Sequence, residues 1–373
     1  MSIFQYCRKL QQQLFSDITE IPPFLQSNYF PSLNGFRAIS ILLVLVDHFT
    51  FNYAHKFDYK ILLIGNLGVN IFFVISGFLI TTLLLKEKAR TGTISLRKFY
   101  VRRFFRIIPV SYLYIIVLIA LNYFFNLHIS WLGIIGAFLF LGNIGLFHNN
   151  WYTSHYWSLA FEEQFYLVFP FILKKNFKFY VKFLLVMLVV VFLLRQVEWI
   201  NYKNTNKLLY RLQYIKEVTF YLDGIIIGSL FSILAMKNML PIQKIVQHKI
   251  LIHILFTPLI ILVHCGYISL VNNSANSYVS AVMIGILILS NLQPSTDLIY
   301  KCLNNKLVNY IGILSYSIYI WQQLFVFNQP WKYAIPGSDT IWLNILLLML
   351  IAYFSYHFYE KKFLQLKERV SSK

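Results

Sequence analysis

The sequence holds little charge and even less acid. Of its 373 residues 13% are charged, and 14 Asp and Glu stand against 33 Lys and Arg. A soluble domain carries about 25% charged residues. That shortage excludes an ordinary water-soluble enzyme and a disordered chain. Cysteine is scarce as well. Cys7, Cys265 and Cys302 are too few for a disulfide framework, and their spacing matches no metal-ligand or redox pair. Residues 1–30 lack a compact apolar stretch and carry Arg8, Lys9, Asp17 and Glu20, so they read as a cytosolic lead-in rather than a cleavable leader. No internal repeat or low-complexity tract interrupts the chain.

What remains is apolar and basic. Hydrophobic residues make up 58%, aromatics 18%, and the formal net charge is +19; the mean hydropathy is +0.61. Such a chain either binds polyanions or sorts its basic residues to one side of a membrane. The positions decide. Apolar segments lie near 38–55, 61–85, 107–125, 131–147, 157–173, 179–198, 217–236, 250–266, 278–292, 309–329 and 341–358. Their hydrophobicity is continuous rather than alternating, so helices are expected and not strands. If every segment except 131–147 crosses, only Lys56, Lys60, Arg195, Lys203, Lys207, Arg211, Lys216 and Lys332 fall outside. The rest of the 33 basics then lie on the cytosolic side. If all segments cross, the basics divide almost evenly.

The expectation is therefore an all-α polytopic bundle of about ten crossings with both termini cytosolic. One short hydrophobic segment, 131–147, lies on or dips into the outer face. The organisation reads as a lead-in over 1–30, a membrane domain over 31–365 and a cytosolic tail over 366–373. No compact basic domain appears, which argues against a nucleic-acid partner.

Ionisable groups inside such helices are the candidate functional residues. Arg37 and His48 are eleven residues apart, almost three full turns, so they share one helix face about 16 Å apart along the axis. Arg37 then sits at the cytosolic interface, as a snorkelling anchor or as a ligand for phosphate. Arg103 and Arg106, three apart, share a face near the same interface. They fit an anionic lipid headgroup or a phosphate-rich ligand. Glu162 lies within the apolar stretch HYWSLAFEEQFYLVFP and forms a stripe with Ser158 and Tyr166. A carboxylate there is costly unless it is paired or faces a polar cavity.

Five ordered motifs resemble the membrane-bound acyltransferase family 3, which modifies bacterial glycans and other surface molecules. They are LNGFRAISILLVLVDHF (33–49), GVNIFFVISGFLIT (68–81), RRFFRIIP (102–109), HYWSLAFEEQFYLVFP (155–170) and GILSYSIYIWQ (312–322). Within them the family's Arg-ten residues-His element is matched by Arg37 and His48. Its Arg-x-x-Arg element is matched by Arg103 and Arg106, and its Trp-Ser-Leu-x-x-Glu element by Trp157, Ser158, Leu159 and Glu162. Two positions depart from the pattern. Gln322 stands where a histidine is common, so a second catalytic histidine is not expected there. Lys362 replaces the proline of a Glu-x-Pro-Phe tail echoed by Glu360 to Phe363, with an effect expected only on how the last helix ends.

The resemblance implies a bacterial cytoplasmic-membrane enzyme. Larger members of the family carry an extra soluble esterase-like domain, for which no room is expected here, so a stand-alone membrane module is the expectation. It transfers an acyl group, acetyl by default, from cytosolic acyl-CoA to a hydroxyl of an extracytoplasmic or lipid-linked carbohydrate. Arg37, Arg103 and Arg106 hold the CoA phosphates, and the pantetheine arm runs toward His48. Trp157 and Ser158 meet the acceptor. His48 is the general base, with a covalent acyl-His relay as a second route. Glu162 orients the histidine or the acceptor. No metal is implied. The rival reading is a transporter or flippase of a glycan or lipid-linked sugar, since mid-membrane polar groups suit it equally.

Overall fold

A computed structural model describes residues 3–50, 64–147, 150–204, 222–271, 273–327 and 329–372. The basic residues Lys56, Lys60, Lys207, Arg211, Lys216 and Lys373 lie outside them, as do the Lys203 side chain and parts of the apolar stretches 38–55, 61–85 and 217–236.

Helices α1 (Ile3–Phe15), α2 (Ser32–Thr50), α3 (Ile64–Thr91) and α4 (Leu96–Phe125) open the chain. The short α5 (Trp131–Phe138) and α6 (Trp151–Ser154) precede α7 (Tyr156–Lys175) and α8 (Phe177–Asn204). Next come α9 (Leu222–Met236), α10 (Ile242–Gln247), α11 (Lys249–His264) and α12 (Asn276–Ser290). The series closes with α13 (Leu298–Leu303), α14 (Lys306–Trp321), α15 (Ile341–Phe354) and α16 (Lys361–Ser372). Among the described residues there is no strand.

Local chemistry sets several boundaries. The Ser95 hydroxyl accepts from the Lys98 N–H at 3.4 Å to start α4, and Asn126 ends it in the left-handed region. Ser130 and Asn150 cap α5 and α6 in the same way as Ser95. A wider turn of π type over Ser355–Glu360 joins α15 to α16, and the helical path runs on through Lys362. The residue that replaces proline in the tail motif therefore lets the last helix continue instead of stopping it.

Five helical stretches are long and apolar enough to cross a membrane: Ser32–Thr50, Ile64–Thr91, Leu96–Phe125, Phe177–Val197 and Ile341–Lys367. Three shorter helices, α9, α11 and α12, are also apolar. Large side chains such as Ile116, Phe171, Val186, Leu193, Ile254 and Leu346 are exposed, as lipid-facing residues are. The segment 131–147 is not one helix. Its regular part is eight residues, about 12 Å, against the roughly 30 Å of a bilayer core. Phe140 adopts φ 53°, and the Leu141 N–H turns back to the Gly136 carbonyl at 2.7 Å. A Cβ on Gly136 would lie 2.4 Å from the Phe147 side chain, so glycine is what lets the chain fold back over α5.

The chain divides into two compact units. The first holds residues 1–36, 69–94 and 164–309, the second 37–68, 95–163 and 310–373. In the first, α3 and α9 meet backbone to backbone: a Cβ on Gly77 would sit 2.0 Å from the Ile225 carbonyl oxygen. Small residues at such contacts are how helices approach closely in lipid. Buried hydroxyl pairs, Thr82 with Ser232 at 2.8 Å and Thr81 with Tyr180 at 3.1 Å, seal the same bundle. In the second unit, the Tyr112 ring stacks on Phe138 at 4.4 Å, and Tyr316 donates to the Ile107 carbonyl at 2.8 Å. These contacts tie α4 to α5 and to α14.

Candidate active site

Every residue that the sequence marks for function lies in the second unit. Helix α2 is continuous from Arg37 to His48, so the eleven-residue spacing does place both on one helix face. The imidazole Nδ1 of His48 lies 3.3 Å from Gln322 Oε1. The ring also meets Trp151 edge-on, with centroids 5.7 Å apart and planes at 68°. Two elements distant in sequence thus converge on His48: the short helix α6, which Trp151 opens, and the tight turn Gln322–Leu324 that extends α14.

A reciprocal pair fixes those elements to each other. Gln323 Nε2 donates to the Trp151 carbonyl at 2.8 Å and to Ser154 Oγ at 2.7 Å, and Trp151 Nε1 donates to the Gln323 carbonyl at 3.1 Å. The Trp151 ring packs further against Phe327 at 5.0 Å.

His155 stands in the break between α6 and α7 and is 3% exposed. Tyr156, Tyr114 and Tyr319 surround its ring at centroid distances of 4.8, 5.2 and 5.8 Å. Its backbone carbonyl accepts from Ser158 Oγ at 3.1 Å and from the Tyr319 hydroxyl at 3.3 Å. Neither ring nitrogen has a hydrogen-bond partner among the described residues. His155 and His48 lie within electrostatic reach of each other. Trp321 Nε1, Gln322 Nε2 and Gln323 Oε1 are likewise buried without a partner among the described residues. Burying such a group unpaired costs about 1–3 kcal/mol, so three of them on the consecutive residues Trp321, Gln322 and Gln323, of which Gln322 meets His48, mark a place built for something polar.

The other expected site residues fall as follows. Ser158 is buried, and its hydroxyl shares a 2.5 Å hydrogen bond with Tyr319, which locks α7 to α14. Trp157, two residues beyond His155, is half-buried and meets Phe161 at 6.0 Å. Glu162 is half-buried one turn beyond Ser158, and its charge acts on Tyr319. Arg103 lies over the Phe99 ring at 5.9 Å, and its charge reaches Glu163. Arg106 is exposed, and its charge reaches Glu360 at the end of the π-type turn. That carboxylate accepts from the Ser317 and Ser355 hydroxyls, the latter at 3.2 Å. Among the described residues no group of three or more His, Cys, Asp or Glu is arranged to hold a metal ion.

The structure brings together His48, Gln322, Trp151 and Gln323, and encloses His155 beside them. Sequence reasoning missed Trp151, His155 and Gln323, and noted Gln322 only as a departure. One signal was available: the run from Asn150 to Ser158 is made of aromatic and hydrogen-bonding residues alone, with no apolar periodicity, which is unusual in so apolar a chain.

The chain is similar to several bacterial proteins. A protein named “Putative O-acetyltransferase” from Staphylococcus aureus is 30% identical across 91% of this chain and 58% of its own length. One named “Putative peptidoglycan O-acetyltransferase” from Bacillus subtilis is 28% identical across 89% of this chain and 54% of its own. A peptidoglycan O-acetyltransferase of Listeria monocytogenes is 37% identical across 38% of this chain and 24% of its own. The chain thus spans little more than half the length of these Staphylococcus and Bacillus relatives. No solved structure matches it. The family model described as an acyltransferase domain matches residues 30–360, nearly the whole chain, and the chain belongs to that family.

Proposed function

We propose that this acyltransferase carries an acetyl group from cytosolic acetyl-CoA to a hydroxyl of an envelope carbohydrate, with peptidoglycan glycan as the first acceptor to test. The observation that carries this reading is the setting of His48. It sits eleven residues beyond Arg37 on one unbroken helix, with Gln322 on its Nδ1 and Trp151 against its ring. A base for hydroxyl activation needs a fixed tautomer and one free nitrogen. The Nδ1–H to Gln322 Oε1 bond leaves Nε2 as that nitrogen. Arg37, Arg103 and Arg106 supply guanidinium groups for the CoA phosphates. Trp157 and Ser158 border the acceptor's approach, and Glu162 acts through Tyr319. The reading includes a bacterial cytoplasmic membrane, about ten crossings and cytosolic termini. It also includes one membrane domain over 31–365 between the lead-in and the tail.

In the reaction the acceptor oxygen attacks the acyl carbon as His48 takes its proton. The carbon–sulfur bond then breaks, and the proton passes to the CoA sulfur. The test is transfer itself. Membranes containing the full chain, given radiolabelled acetyl-CoA and glycan strands released from peptidoglycan, should form base-labile acetyl esters. Membranes containing a His48→Ala variant should not. Equal labelling by the two overturns the reading, and translocation of glycan without esters favours a transporter.

A further inference from the structure

Gln322 has two polar ends, and only one of them is spoken for. It is 0% exposed, its Oε1 lies 3.3 Å from His48 Nδ1, and its Nε2 has no hydrogen-bond partner among the described residues. A side-chain amide carries two N–H donors on that nitrogen. Leaving them buried and unused is costly, so a glutamine needed only to hold an imidazole is a poor choice. The amide is fixed in place by its backbone: Gln322 opens a tight turn whose Phe325 and Val326 N–H groups both return to the Gln322 carbonyl, at 2.8 and 3.1 Å. The neighbouring Gln323 anchors that turn to Trp151. Gln322 is therefore a preorganised donor next to the base, in a water-poor setting where such donors are most effective.

We propose that Gln322 is a catalytic residue that holds His48 through its Oε1 and donates an N–H bond from Nε2 to the acyl carbonyl oxygen of the donor thioester. This rests on the acyl-transfer reading above. When the acceptor hydroxyl oxygen bonds to the acyl carbon, the carbonyl π pair moves onto that oxygen. The Gln322 N–H meets the negative charge there while His48 holds the proton. Collapse restores the carbonyl, breaks the carbon–sulfur bond and releases CoA, whose sulfur receives the proton from His48. One residue thereby couples the base and the oxyanion in a fixed geometry.

The experiment uses the purified full chain with acetyl-CoA, its dithioacetyl analogue and peptidoglycan glycan strands. Replacing the carbonyl oxygen by sulfur weakens any hydrogen bond to that atom. The wild type should pay a large rate penalty for the exchange. The near-isosteric Gln322→Met should lower kcat for acetyl-CoA by roughly 10²–10³, as loss of an oxyanion donor does. Its KM should stay within about threefold, and it should still unfold in a single cooperative transition. Its oxygen-to-sulfur penalty should shrink at least about fivefold, because the donor that senses the exchange is gone. An equal penalty in the two proteins, or a kcat within twofold of wild type, overturns the proposal. If Gln322→Met has no melting transition, Gln322→Asn, which withdraws the amide by one methylene, is read by the same criteria. A wild type that transfers no acetyl group overturns the acyl-transfer reading itself; a wild type that transfers, with an unaffected variant, overturns only the role of Gln322.

Discussion

Trp151 and Gln323 hold each other by two hydrogen bonds that run in opposite directions, at 3.1 and 2.8 Å. The relationship joins residues 172 positions apart in sequence. It sets the face that Trp151 presents to His48 and the turn from which Gln322 reaches the same ring. Gln323→Leu removes both side-chain bonds of Gln323 and leaves the Trp151 carbonyl and the Ser154 hydroxyl only their bond to each other, at 2.8 Å. The expected cost is about 1–3 kcal/mol of stability. Activity should fall by roughly 10-fold or more, because a base misplaced by 1 Å costs about that or worse. Trp151→Phe loses one N–H and should cost about 1 kcal/mol. Melting curves together with transfer rates check both, and a Gln323→Leu protein with unchanged rate would separate the pair from the site.

This pairing also shows where sequence reasoning stops. The Arg37–His48 relation was legible because helical periodicity is local and one helix carries both residues. For 131–147 the distribution of basic residues points to a short segment that does not cross, and only the structure shows that its helix stops after eight residues and turns back. The company that His48 keeps was not legible. Gln322 lies 274 residues away, at a position noted only as a departure from the family pattern. His155 opens the motif over 155–170 but is none of the positions matched to the family pattern, so nothing in the sequence assigns it a role. Only packing reveals that its ring is enclosed by three tyrosines and unpaired among the described residues.

Arg37 and His48 should fail differently. His48→Ala removes the base, and kcat should fall by about 10²–10⁴. Arg37→Ala removes a phosphate contact, so transfer should be lost at ordinary acetyl-CoA concentrations and recover in part when acetyl-CoA is raised. Both proteins should be expressed and should melt near the wild-type temperature. Steady-state kinetics in acetyl-CoA separate the two roles, and an Arg37→Ala protein with a pure kcat defect would remove Arg37 from the donor site.

The topology has its own check. Truncated fusions that end at Asn150 should carry a reporter to the extracytoplasmic side. A fusion to the end of the chain should keep its reporter in the cytosol. The basis is the run of basic residues between Lys86 and Arg106 and beyond Lys361, which the ten-crossing reading assigns to the cytosolic side. A cytosolic signal from the Asn150 fusion would mean an even number of crossings before it.

In the first unit, Arg195 and Asp223 form a buried bidentate pair, with Nη2 to Oδ1 at 2.8 Å and Nη1 to Oδ2 at 3.3 Å. The pair is 6% and 0% exposed, and the Tyr278 ring lies 5.1 Å from the guanidinium. Asp223→Asn leaves the arginine charge buried and should cost about 3–5 kcal/mol. The double variant Arg195→Met, Asp223→Leu removes both charges and should recover most of that loss. Thermal unfolding in detergent measures both. A double variant no better than the single one would mean that the hydrogen bonds of Arg195 to Ser274 and Ser277 matter more than its charge.

Asp297 gives the stability a pH dependence. Burial raises the pKa of its carboxyl, but hydrogen bonds from Lys249 and Ser295, the Tyr300 N–H and the Lys249 charge outweigh that and hold it below the usual carboxylate range. The ammonium contact is 2.7 Å, and Lys249 is almost fully buried. A carboxyl whose pKa is depressed by folding binds fewer protons folded than unfolded. Its contribution is therefore complete above the ordinary carboxylate value of 3.8, and it is lost as the pH falls below that value toward the folded one. Asp297→Asn removes the contribution and leaves the Lys249 charge without its partner, at a cost of roughly 3 kcal/mol at neutral pH. The gap between the melting temperatures of wild type and variant should be constant from pH 8 to about pH 5 and close as the pH drops below about 4. A gap that widens on acidification would show that the pair does not hold the carboxylate ionised.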